Sequence, residues 1–437
     1  MTTRMLIVLQ RYKGISRGGS PYPPCGNGRF CRCAAGTETR RAASSVAAIV
    51  GLAVLIGLVA PAAGQKPDVT ESATADPAHW PAFSWDTVPV YIHFGKSAGP
   101  LTEQELAFVA RTSDFVCLEK AHGTRALGST EKGTAHDAAR LKALNPRMKV
   151  LFYWNTFLNY HLYDACEEVA KHPEWLFRDK EGQPIYKVRN LEQYNLLDSG
   201  FRAWWATVAG KAVKQYGCDG IFMDAVDQAK RPLWMKKGWG AGKEPQLTGA
   251  VNDMMRLARR EMGDGAIVLY NGLRSNANET AGFDYLAHAD GAMVEHFTAF
   301  ASQSKEAVAR DIAAIIKAGE AGRIVVVKGW PDPTFNWTNT AKMRLPQEQL
   351  AAEAKKKITF SLACYLVAAR RHSYFCYSWG YTNRHGNLID YPEFHKPLGP
   401  PSADAERDGW VYTRSFEHAS VRVNLANREA KITWKGK

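Results

Sequence analysis

Cysteine is scarce in this 437-residue sequence, and its spacing does not indicate a disulfide framework. Three of the eight cysteines, Cys25, Cys31 and Cys33, lie near the start, and no complementary His or Cys cluster follows to complete a zinc site. The other five are an odd and scattered set: Cys117, Cys166, Cys218, Cys364 and Cys376. We predict that these five serve as small buried hydrophobic residues.

Motifs for nucleotide and metal binding are also missing. No glycine motif of the GxGxxG or Walker type follows an apolar run, which argues against a doubly wound nucleotide-binding fold. No EF-hand-like loop is present. Metal-dependent barrel hydrolases commonly carry a His-x-His pair on their first strand, whereas "YIHFGK" offers a single His. We therefore expect no cofactor and no metal ligands, and a metal-dependent hydrolase is the least favoured interpretation.

A basic tract suited to nucleic acid is absent from most of the chain, although the formal net charge is +13. Residues 1–64 contain eight Lys or Arg and one acid, Glu38, so this segment carries +7 and the remainder +6. Beyond residue 64, no Lys/Arg run is interleaved with aromatic residues. Nucleic-acid binding is therefore not expected.

The basic first segment has the order of a secretory signal. Arg40 and Arg41 precede an apolar stretch at residues 46–59, and the small-residue sequence "APAAG" follows. An uncleaved membrane anchor is the alternative, because residues 42–63 are long enough to span a bilayer. The sequence predicts an exported protein that is periplasmic, extracellular or membrane-anchored, with membrane contact only through this segment.

After a polar linker, apolar β-branched runs alternate with segments of helical periodicity such as "SKEAVARDIAAIIKAG". Continuous apolar strands separated by helices are typical of a parallel sheet covered by helices. Eight such units in roughly 300 residues predict an α/β fold of the (β/α)8 or TIM-barrel type. The runs occupy residues 88–96, 114–120, 149–157, 218–226, 266–273, 291–297, 323–331 and 372–381.

Two segments depart from this alternation. Residues 172–195, "HPEWLFRDKEGQPIYKVRNLEQYN", resemble a hairpin or a lid over the barrel mouth. The tail alternates polar and apolar residues between turns, which predicts a small antiparallel β appendage. The predicted organisation is a leader or anchor at 1–64, a linker at 65–84, the barrel at 85–400 and the C-terminal β segment at 401–437.

Polar and aromatic residues follow many of the predicted strands. In a TIM barrel the carboxyl ends of the strands meet at one rim, where active sites lie. We therefore expect these side chains to converge, although they are far apart in the sequence. In strand order they are His93 and Lys96; Glu119 and Lys120; Tyr153, Trp154 and Asn155; Asp224 and Asp227; Asn271; Glu295 and His296; Lys328 and Trp330; Trp379 and Tyr381.

Aromatic rings beside acids suit a sugar, whose C–H faces stack on Trp or Tyr and whose hydroxyls need polar partners. Cleavage of a glycosidic bond needs two carboxyl groups. We predict Asp224 and Glu295 as this catalytic pair, at the ends of the fourth and sixth strands. The predicted substrate-binding residues are His93, Glu119, Lys120, Tyr153, Trp154, Asn155, Asn271, Lys328, Trp330 and Trp379.

Structural roles are the alternatives for these residues. Asp224 could form an ion pair with Lys120 or Lys328, and a Glu295 paired with Lys328 would give the same sequence pattern. Glu119 beside Lys120 is compatible with an internal salt bridge, and His93 with a hydrogen-bonded core imidazole. Each of the three tryptophans could simply fill the rim. Two further acids are interpreted as structural: Asp219 as a hydrogen-bonding residue at the opposite rim, and Asp198 as a helix cap.

Four segments carry a family resemblance: "YNLLDSGFRAWWA", "GCDGIFMDAV", "HPEWLFRDKEGQPIY" and "GAMVEHF". They resemble glycosyl-hydrolase-like family 15, a set of barrel glycosidases, over roughly residues 85–430. The chain is more distantly similar to the retaining α-glycosidase and α-galactosidase barrels. That likeness implies Asp224 as the nucleophile and Glu295 as the general acid/base, although this sequence has Glu rather than Asp on strand six.

The sequence therefore predicts an exported glycoside hydrolase that cleaves an oligo- or polysaccharide, with carbohydrate as its partner. Retention of configuration would require carboxyl groups about 5 Å apart, and the general acid should have a raised pKa. The main alternative is a TIM barrel that binds glycan without cleaving it. The sequence carries no signal for the oligomeric state.

Overall fold

The computed structural model describes residues 77–187, 191–274 and 280–435. The predicted leader and residues 65–76 of the predicted linker lie outside these residues. Within them, eight parallel strands form one sheet in which each strand pairs with the next in sequence. The strands are β1 (Ile92–Phe94), β2 (Phe115–Leu118), β3 (Lys149–Asn155), β4 (Gly220–Asp224), β5 (Ile267–Asn271), β6 (Gly291–Phe297), β7 (Ile324–Gly329) and β8 (Ser373–Tyr377).

The sheet closes into a barrel where its last strand meets its first. Isolated parallel bridges join Val90 to Phe375 and Gly95 to Thr382. The Tyr91 N–H donates to the carbonyl of Phe375 at 2.9 Å. The ring is nearly complete, although β1 has only three residues. The predicted α/β TIM barrel is confirmed, and each observed strand lies within a predicted apolar run.

Six helices of ten or more residues lie in the described part of the chain. Their starts follow the sequence: Asp198 accepts from the Phe201 N–H at 2.8 Å as the predicted helix cap, and Thr102 forms a capping box with Glu105. The helices are α1 (Glu103–Thr112), α2 (Thr130–Leu144), α3 (Ser199–Lys214), α4 (Glu244–Met262), α5 (Lys305–Glu320) and α6 (Gln347–Ala368). Shorter turns of α-helix cover Thr124–Leu127, Cys166–Val169, Pro232–Trp234 and Thr340–Met343.

The core has two layers, one inside the barrel and one between the barrel and its helices. Trp80 and Phe83 pack against the inner layer. Trp80 donates to Asp290, just before β6, at 3.2 Å, so this segment covers the amino-terminal end of the barrel. All five cysteines in the described residues are buried and free, as predicted.

A separate antiparallel sheet lies near the C-terminus, as predicted from the alternating tail. Its strands are β9 (Glu406–Asp408), β10 (Val411–Ser415), β11 (Ala419–Asn424) and β12 (Glu429–Trp434), in the order β12-β11-β10-β9. Buried Arg414 on β10 donates to the carbonyl of Leu366 at 3.0 Å and thereby fastens the sheet to α6.

The segment between β3 and α3 folds back on itself as an irregular hairpin. Antiparallel bridges join Leu176 to Tyr194, Arg178 to Pro184, and Tyr186 to Glu192. In the described residues, no helix is both long enough and apolar enough to cross a bilayer. The predicted anchor segment lies outside these residues.

Candidate active site

Asp224 is the last residue of β4 and is held by three hydrogen-bond donors. The Tyr153 hydroxyl and the Asn155 amide donate to Oδ2, the amide at 3.1 Å, and the Asn271 amide donates to Oδ1 at 2.9 Å. All three donors come from the neighbouring strands β3 and β5. The parallel register therefore fixes the carboxylate at the carboxyl rim.

Glu295 on β6 is the second carboxylate of the rim, and its side chain is 27% exposed. Its Oε1 accepts from the Tyr381 hydroxyl, and its Oε2 lies 3.5 Å from His296 Nε2. Burial opposes ionisation of Glu295, but the charge of His296 and hydrogen bonds from Tyr381 and Asn271 outweigh it and lower the pKa of this carboxyl. The sequence led us to expect a raised pKa for the general acid. The structure shows the opposite, because Tyr381 donates to the carboxylate and His296 lies beside it.

Asn271 connects the two acids. Its amide donates to Asp224 at 2.9 Å, and the same side chain lowers the pKa of Glu295. The structure thus brings together the two acids that the sequence selected from separate strands.

The lysines near the rim are paired elsewhere. Lys120 lies 2.8 Å from Glu119, which confirms the internal salt bridge considered for these neighbours. Fully buried Lys328 donates to Ser378 Oγ at 2.5 Å. Among the described residues, neither Asp224 nor Glu295 forms a Lys or Arg salt bridge within 4.0 Å, so the structural ion pairs considered for both acids are not observed.

His93 and Glu119 lie below the carboxylates. His93 is 1% exposed, shares a hydrogen bond with the Tyr91 hydroxyl at 3.1 Å, and lies 3.6 Å from Glu119 through Nε2. Burial opposes ionisation of Glu119, but the charge of Lys120 and the nearby His93 lower its pKa. These contacts make His93 and Glu119 part of the floor of the site.

Strand alternation separates the three residues predicted on β3. Tyr153 packs with the inner layer of the barrel, and Asn155 donates to Asp224, so both face the site. Trp154 points outward, where its ring stacks on Trp205 of α3 and its Nε1 donates to the Trp205 carbonyl at 3.1 Å. The structure does not bring Trp154 to the carboxylates.

The other two tryptophans selected from the sequence are buried. Trp330 is 1% exposed and its Nε1 donates to the backbone carbonyl of Glu295 at 3.0 Å, so it supports the site from behind. Trp379 is fully buried against Phe335, with the ring centroids 5.1 Å apart. Neither ring offers a free face to a sugar. Asp219 at the opposite rim accepts from the Val150 N–H at 2.8 Å, in line with its predicted structural role.

Sequence reasoning missed Lys187, which the hairpin between β3 and α3 carries to the barrel mouth. Its Nζ donates to Gln228, just beyond β4, at 3.3 Å. Burial and the charge of Arg231 lower the pKa of Lys187 to about 8, while Asp224 and Glu295 oppose this shift. The hairpin therefore places a cation in electrostatic contact with both carboxylates, as expected of a lid. No sequence pattern marks this position.

Phe300 and Trp337 were also missed. Both are half-buried beside Glu295, with their ring centroids 5.4 Å apart. Trp337 lies in "PDPTFNWTNT", a loop rich in Pro, Asn and Thr, where a large aromatic residue is unusual. A large aromatic residue in such a loop was the signal in the sequence that could have identified Trp337. His296 and Tyr381 were placed at the rim from sequence but were not assigned to the site.

Residues with a left-handed backbone conformation cluster just after the strand ends that carry the site residues. Ala121 (φ 67°), Ala225 (φ 67°) and Thr298 (φ 64°) follow β2, β4 and β6 within a few residues. This conformation is unfavourable for residues with a Cβ and persists where the surroundings enforce it, commonly at functional sites. The strain thus coincides with the carboxyl rim.

The described residues contain no group of three or more His, Cys, Asp or Glu side chains placed to hold a metal ion. The arrangement instead offers two carboxylates on one side of a barrel mouth, and each accepts a hydrogen bond from a tyrosine hydroxyl. Such a pair can act on a bond that lies between the two acids, one as nucleophile or base and the other as acid.

Fold and site together define a TIM-barrel protein with a carboxylate pair at its mouth. Residues 142–420 match the family model described as hypothetical glycosyl hydrolase family 15, and the chain belongs to this family. No match to the sequence was found among curated proteins.

Several solved structures are similar to the chain. One is a variant of the glycoside hydrolase domain of PelA from Pseudomonas aeruginosa, with 14% identity over 68% of this chain and 95% of that one, and a TM-score of 0.42. Another is an α-galactosidase from Thermus thermophilus in complex with p-nitrophenyl α-D-galactopyranoside, with 16% identity, 78% and 67% coverage, and a TM-score of 0.43. A third is an α-amylase from Geobacillus thermoleovorans complexed with acarbose, with 11% identity, 77% and 86% coverage, and a TM-score of 0.44.

Proposed function

We propose that this protein is an exported glycoside hydrolase that cleaves an oligo- or polysaccharide with retention of configuration. Asp224 is the nucleophile and Glu295 the general acid/base. The observation that carries the proposal is the pair of strand-end carboxylates at one rim, where the Asn271 amide donates to Asp224 and also lowers the pKa of Glu295. Family membership supports the same class of reaction.

The spacing of the acids supports retention. Retaining enzymes hold their carboxyl groups about 5–5.5 Å apart, whereas inverting enzymes need about 6.5–9.5 Å to admit a water molecule. A single strand, β5, lies between the strands that carry the two acids, and its Asn271 donates to Asp224 and lowers the pKa of Glu295, which supports the shorter spacing of a retaining enzyme.

The hydrogen bonds support the division of roles. Asp224 accepts from three side-chain donors, which fix the position of its carboxylate, as a nucleophile requires. Glu295 accepts from the Tyr381 hydroxyl, and against the effect of burial its pKa is also lowered by His296, Asn271 and His93. A bound sugar would increase the burial of both acids, and burial favours the neutral form of a carboxyl group. We infer that Glu295, with fewer fixed donors, takes up the proton.

The reaction then has two steps. An Asp224 oxygen attacks the anomeric carbon as the bond from that carbon to the leaving oxygen breaks, and the Glu295 proton moves to the leaving oxygen. Water next attacks the anomeric carbon and gives a proton to Glu295, and the bond to Asp224 breaks. The second step restores both carboxyl groups to their starting forms.

The test compares Asp224→Asn and Glu295→Gln with the parent protein on a panel of oligosaccharides and nitrophenyl glycosides. Each variant should lose at least about 100-fold in kcat on a substrate that the parent cleaves. Azide should rescue Asp224→Asn on nitrophenyl glycosides to give a glycosyl azide of inverted configuration, and rescue Glu295→Gln to give the retained one. The exposed acids Asp264 and Glu348 provide matched controls, Asp264→Asn and Glu348→Gln. Full turnover by either site variant would refute the assignment.

The lowered pKa of Glu295 favours a second candidate, a barrel that binds glycan without cleaving it. An acid that stays ionised cannot protonate a leaving group. Glycan binding by the parent without turnover of any panel member would support this candidate over the hydrolase.

Export rests on the sequence before residue 64, outside the described residues. The proposal is checked by fractionating cells that express the full chain and by sequencing the mature N-terminus. Cleavage after the "APAAG" region would support a signal peptide, whereas an intact chain in the membrane fraction would support an anchor.

A further inference from the structure

Aromatic side chains form a continuous surface beside Glu295, here called the aromatic wall. Neighbouring ring centroids within it lie 4.4 to 6.4 Å apart. Its members come from β6 and the loops that follow β6, β7 and β8, so three successive strand ends contribute. They are His296, Phe300, Trp330, Trp337 and Tyr381.

The wall has a buried back and a partly open front. Trp330 is 1% exposed, and its centroid lies 5.0 Å from that of Phe300 and 5.3 Å from that of Trp337. Phe300 and Trp337 are half-buried and their ring planes are inclined at 43°. The front therefore consists of two rings that a buried tryptophan supports.

The wall begins at the proposed proton donor. Tyr381 donates to Glu295 and lies 5.4 Å from Trp337, while His296 lies 3.5 Å from Glu295 and 4.4 Å from Phe300. A general acid must reach the oxygen of the leaving group, so the leaving sugar lies on the side of the acid. Phe300 and Trp337 are the aromatic rings at that position.

The loop that carries Phe300 is held in an unfavourable conformation. Thr298 (φ 64°) and Phe300 (φ 50°) are both left-handed. Arg428, in the turn between β11 and β12, donates to the carbonyl of Thr298 at 2.9 Å and to that of Gln303 at 3.1 Å. Backbone of this kind persists where the surrounding structure enforces it, which is typical of ligand-binding loops. The C-terminal sheet thus helps to hold Phe300 against the wall.

We propose that Phe300 and Trp337 form the stacking face for the sugar unit on the leaving side of the scissile bond. The substrate is accordingly an oligo- or polysaccharide that continues past Glu295, and not a single sugar attached to a small non-sugar group. Apolar C–H faces of a sugar ring match aromatic faces of this kind. This inference rests on the proposed function.

The test uses two substrates that share the transferred sugar but differ in the leaving group. One is the oligosaccharide that the parent cleaves fastest in the panel, and the other is the glycosyl fluoride of the sugar it transfers. Fluoride leaves without occupying the wall. In Trp337→Ala and Phe300→Ala, the loss in kcat/KM on the oligosaccharide should exceed the loss on the fluoride by at least about tenfold. Equal losses on both substrates, or none on the oligosaccharide, would overturn the proposal.

Trp204→Ala is the matched control, because Trp204 is half-buried on α3, where its ring packs against Trp154 and Trp175 and not against the wall. It should leave the ratio of the two kcat/KM values unchanged. The folded state of each variant is checked by its unfolding transition.

A binding measurement separates failure of the wall from failure of the hydrolase. Asp224→Asn, alone and combined with Trp337→Ala, is titrated with tetrasaccharides of the gluco, galacto and hexosamine series by calorimetry. Binding that is at least about tenfold weaker in the double variant would support the stacking role of the aromatic wall. This result would hold even if the parent protein cleaved no substrate and the hydrolase proposal were refuted. Equal affinities of the single and double variants, or no binding of any tetrasaccharide, would refute the stacking role of the aromatic wall. This conclusion would not depend on whether the parent protein shows turnover.

Discussion

The Tyr381 hydroxyl donates a hydrogen bond to Glu295 Oε1, a contact between the loop after β8 and the end of β6. The Tyr153 hydroxyl makes the equivalent contact with Asp224. Each carboxylate of the site thus has its own tyrosine. The Tyr381 hydroxyl helps to lower the pKa of Glu295, because a hydrogen bond to an anion favours the anion.

Removing the Tyr381 hydroxyl should move the pH dependence of the reaction. Glu295 acts as an acid only while protonated, so kcat/KM falls as pH rises through its pKa. Tyr381→Phe removes a donor that lowers this pKa, and the fall should shift to higher pH by about one unit or more. Tyr377→Phe is the control, since its hydroxyl donates to the Ala354 carbonyl instead. A shift to lower pH would contradict the role given to Tyr381.

Lys187 should influence the same profile from the hairpin. Its positive charge favours the anionic forms of Asp224 and Glu295, and it loses this charge as pH rises past about 8. In Lys187→Met the fall in kcat/KM should therefore move to higher pH, and any inflection near pH 8 should disappear. Lys180→Met changes an exposed lysine of the same hairpin and should leave the profile as in the parent. If the inflection near pH 8 persisted in Lys187→Met, it would arise from another titrating group.

Relief of backbone strain at Ala225 should stabilise the protein. Its φ of 67° is unfavourable for a residue with a Cβ, and glycine adopts this conformation freely. Ala225→Gly should raise the free energy of unfolding by up to about 1 kcal/mol, measured by chemical denaturation. Ala203→Gly, on the exposed face of α3, should lower it by about 1 kcal/mol. Equal destabilisation by both changes would show that Ala225 is not strained.

Buried Asp137 on α2 should make stability sensitive to acid. It accepts from the Leu101 N–H at 2.7 Å and lies 2.8 Å from His122 Nε2. Burial opposes its ionisation, but the hydrogen bonds from His122 and Leu101 lower its pKa. Because the folded-state pKa is below the unfolded one, the stabilisation is present above about pH 4 and is lost as pH falls through the folded-state pKa.

Asp137→Asn should therefore reduce the free energy of unfolding at pH 7 by about 3 kcal/mol, measured by chemical denaturation. The difference in the free energy of unfolding between parent and variant should narrow as pH falls from about 4 to the lowered pKa of Asp137 in the folded parent. Asp264→Asn, an exposed change, should have no such effect. If this difference in the free energy of unfolding did not change with pH, it would not arise from the charge of the Asp137 carboxylate.

The barrel was predictable because each buried parallel strand is a continuous apolar run, and the helices between them have clear periodicity. The same continuity concealed which side chains face inward. Tyr153, Trp154 and Asn155 all lie in a run that is buried on both sides, so the sequence could not separate Trp154 from its two neighbours.

Selection of Asp224 and Glu295 needed only the rule that strand ends converge. Their electrostatics needed more, since the pKa of Glu295 depends on Tyr381 and Asn271 from other strand ends. Lys187, Phe300 and Trp337 lie in irregular segments, where no periodicity links a residue to a position in space. Residues of this kind become visible only once the loops are folded.

The ring closes between β8 and β1 through two isolated bridges, and β1 itself is three residues long. Amide hydrogens at this seam should exchange with solvent sooner than those of the central strands, because few neighbours protect them. On heating, β1 should detach while the outer helices persist. This would separate His93 from Glu119 in the floor of the site. Thermal inactivation should then set in some degrees below the melting of the helical signal.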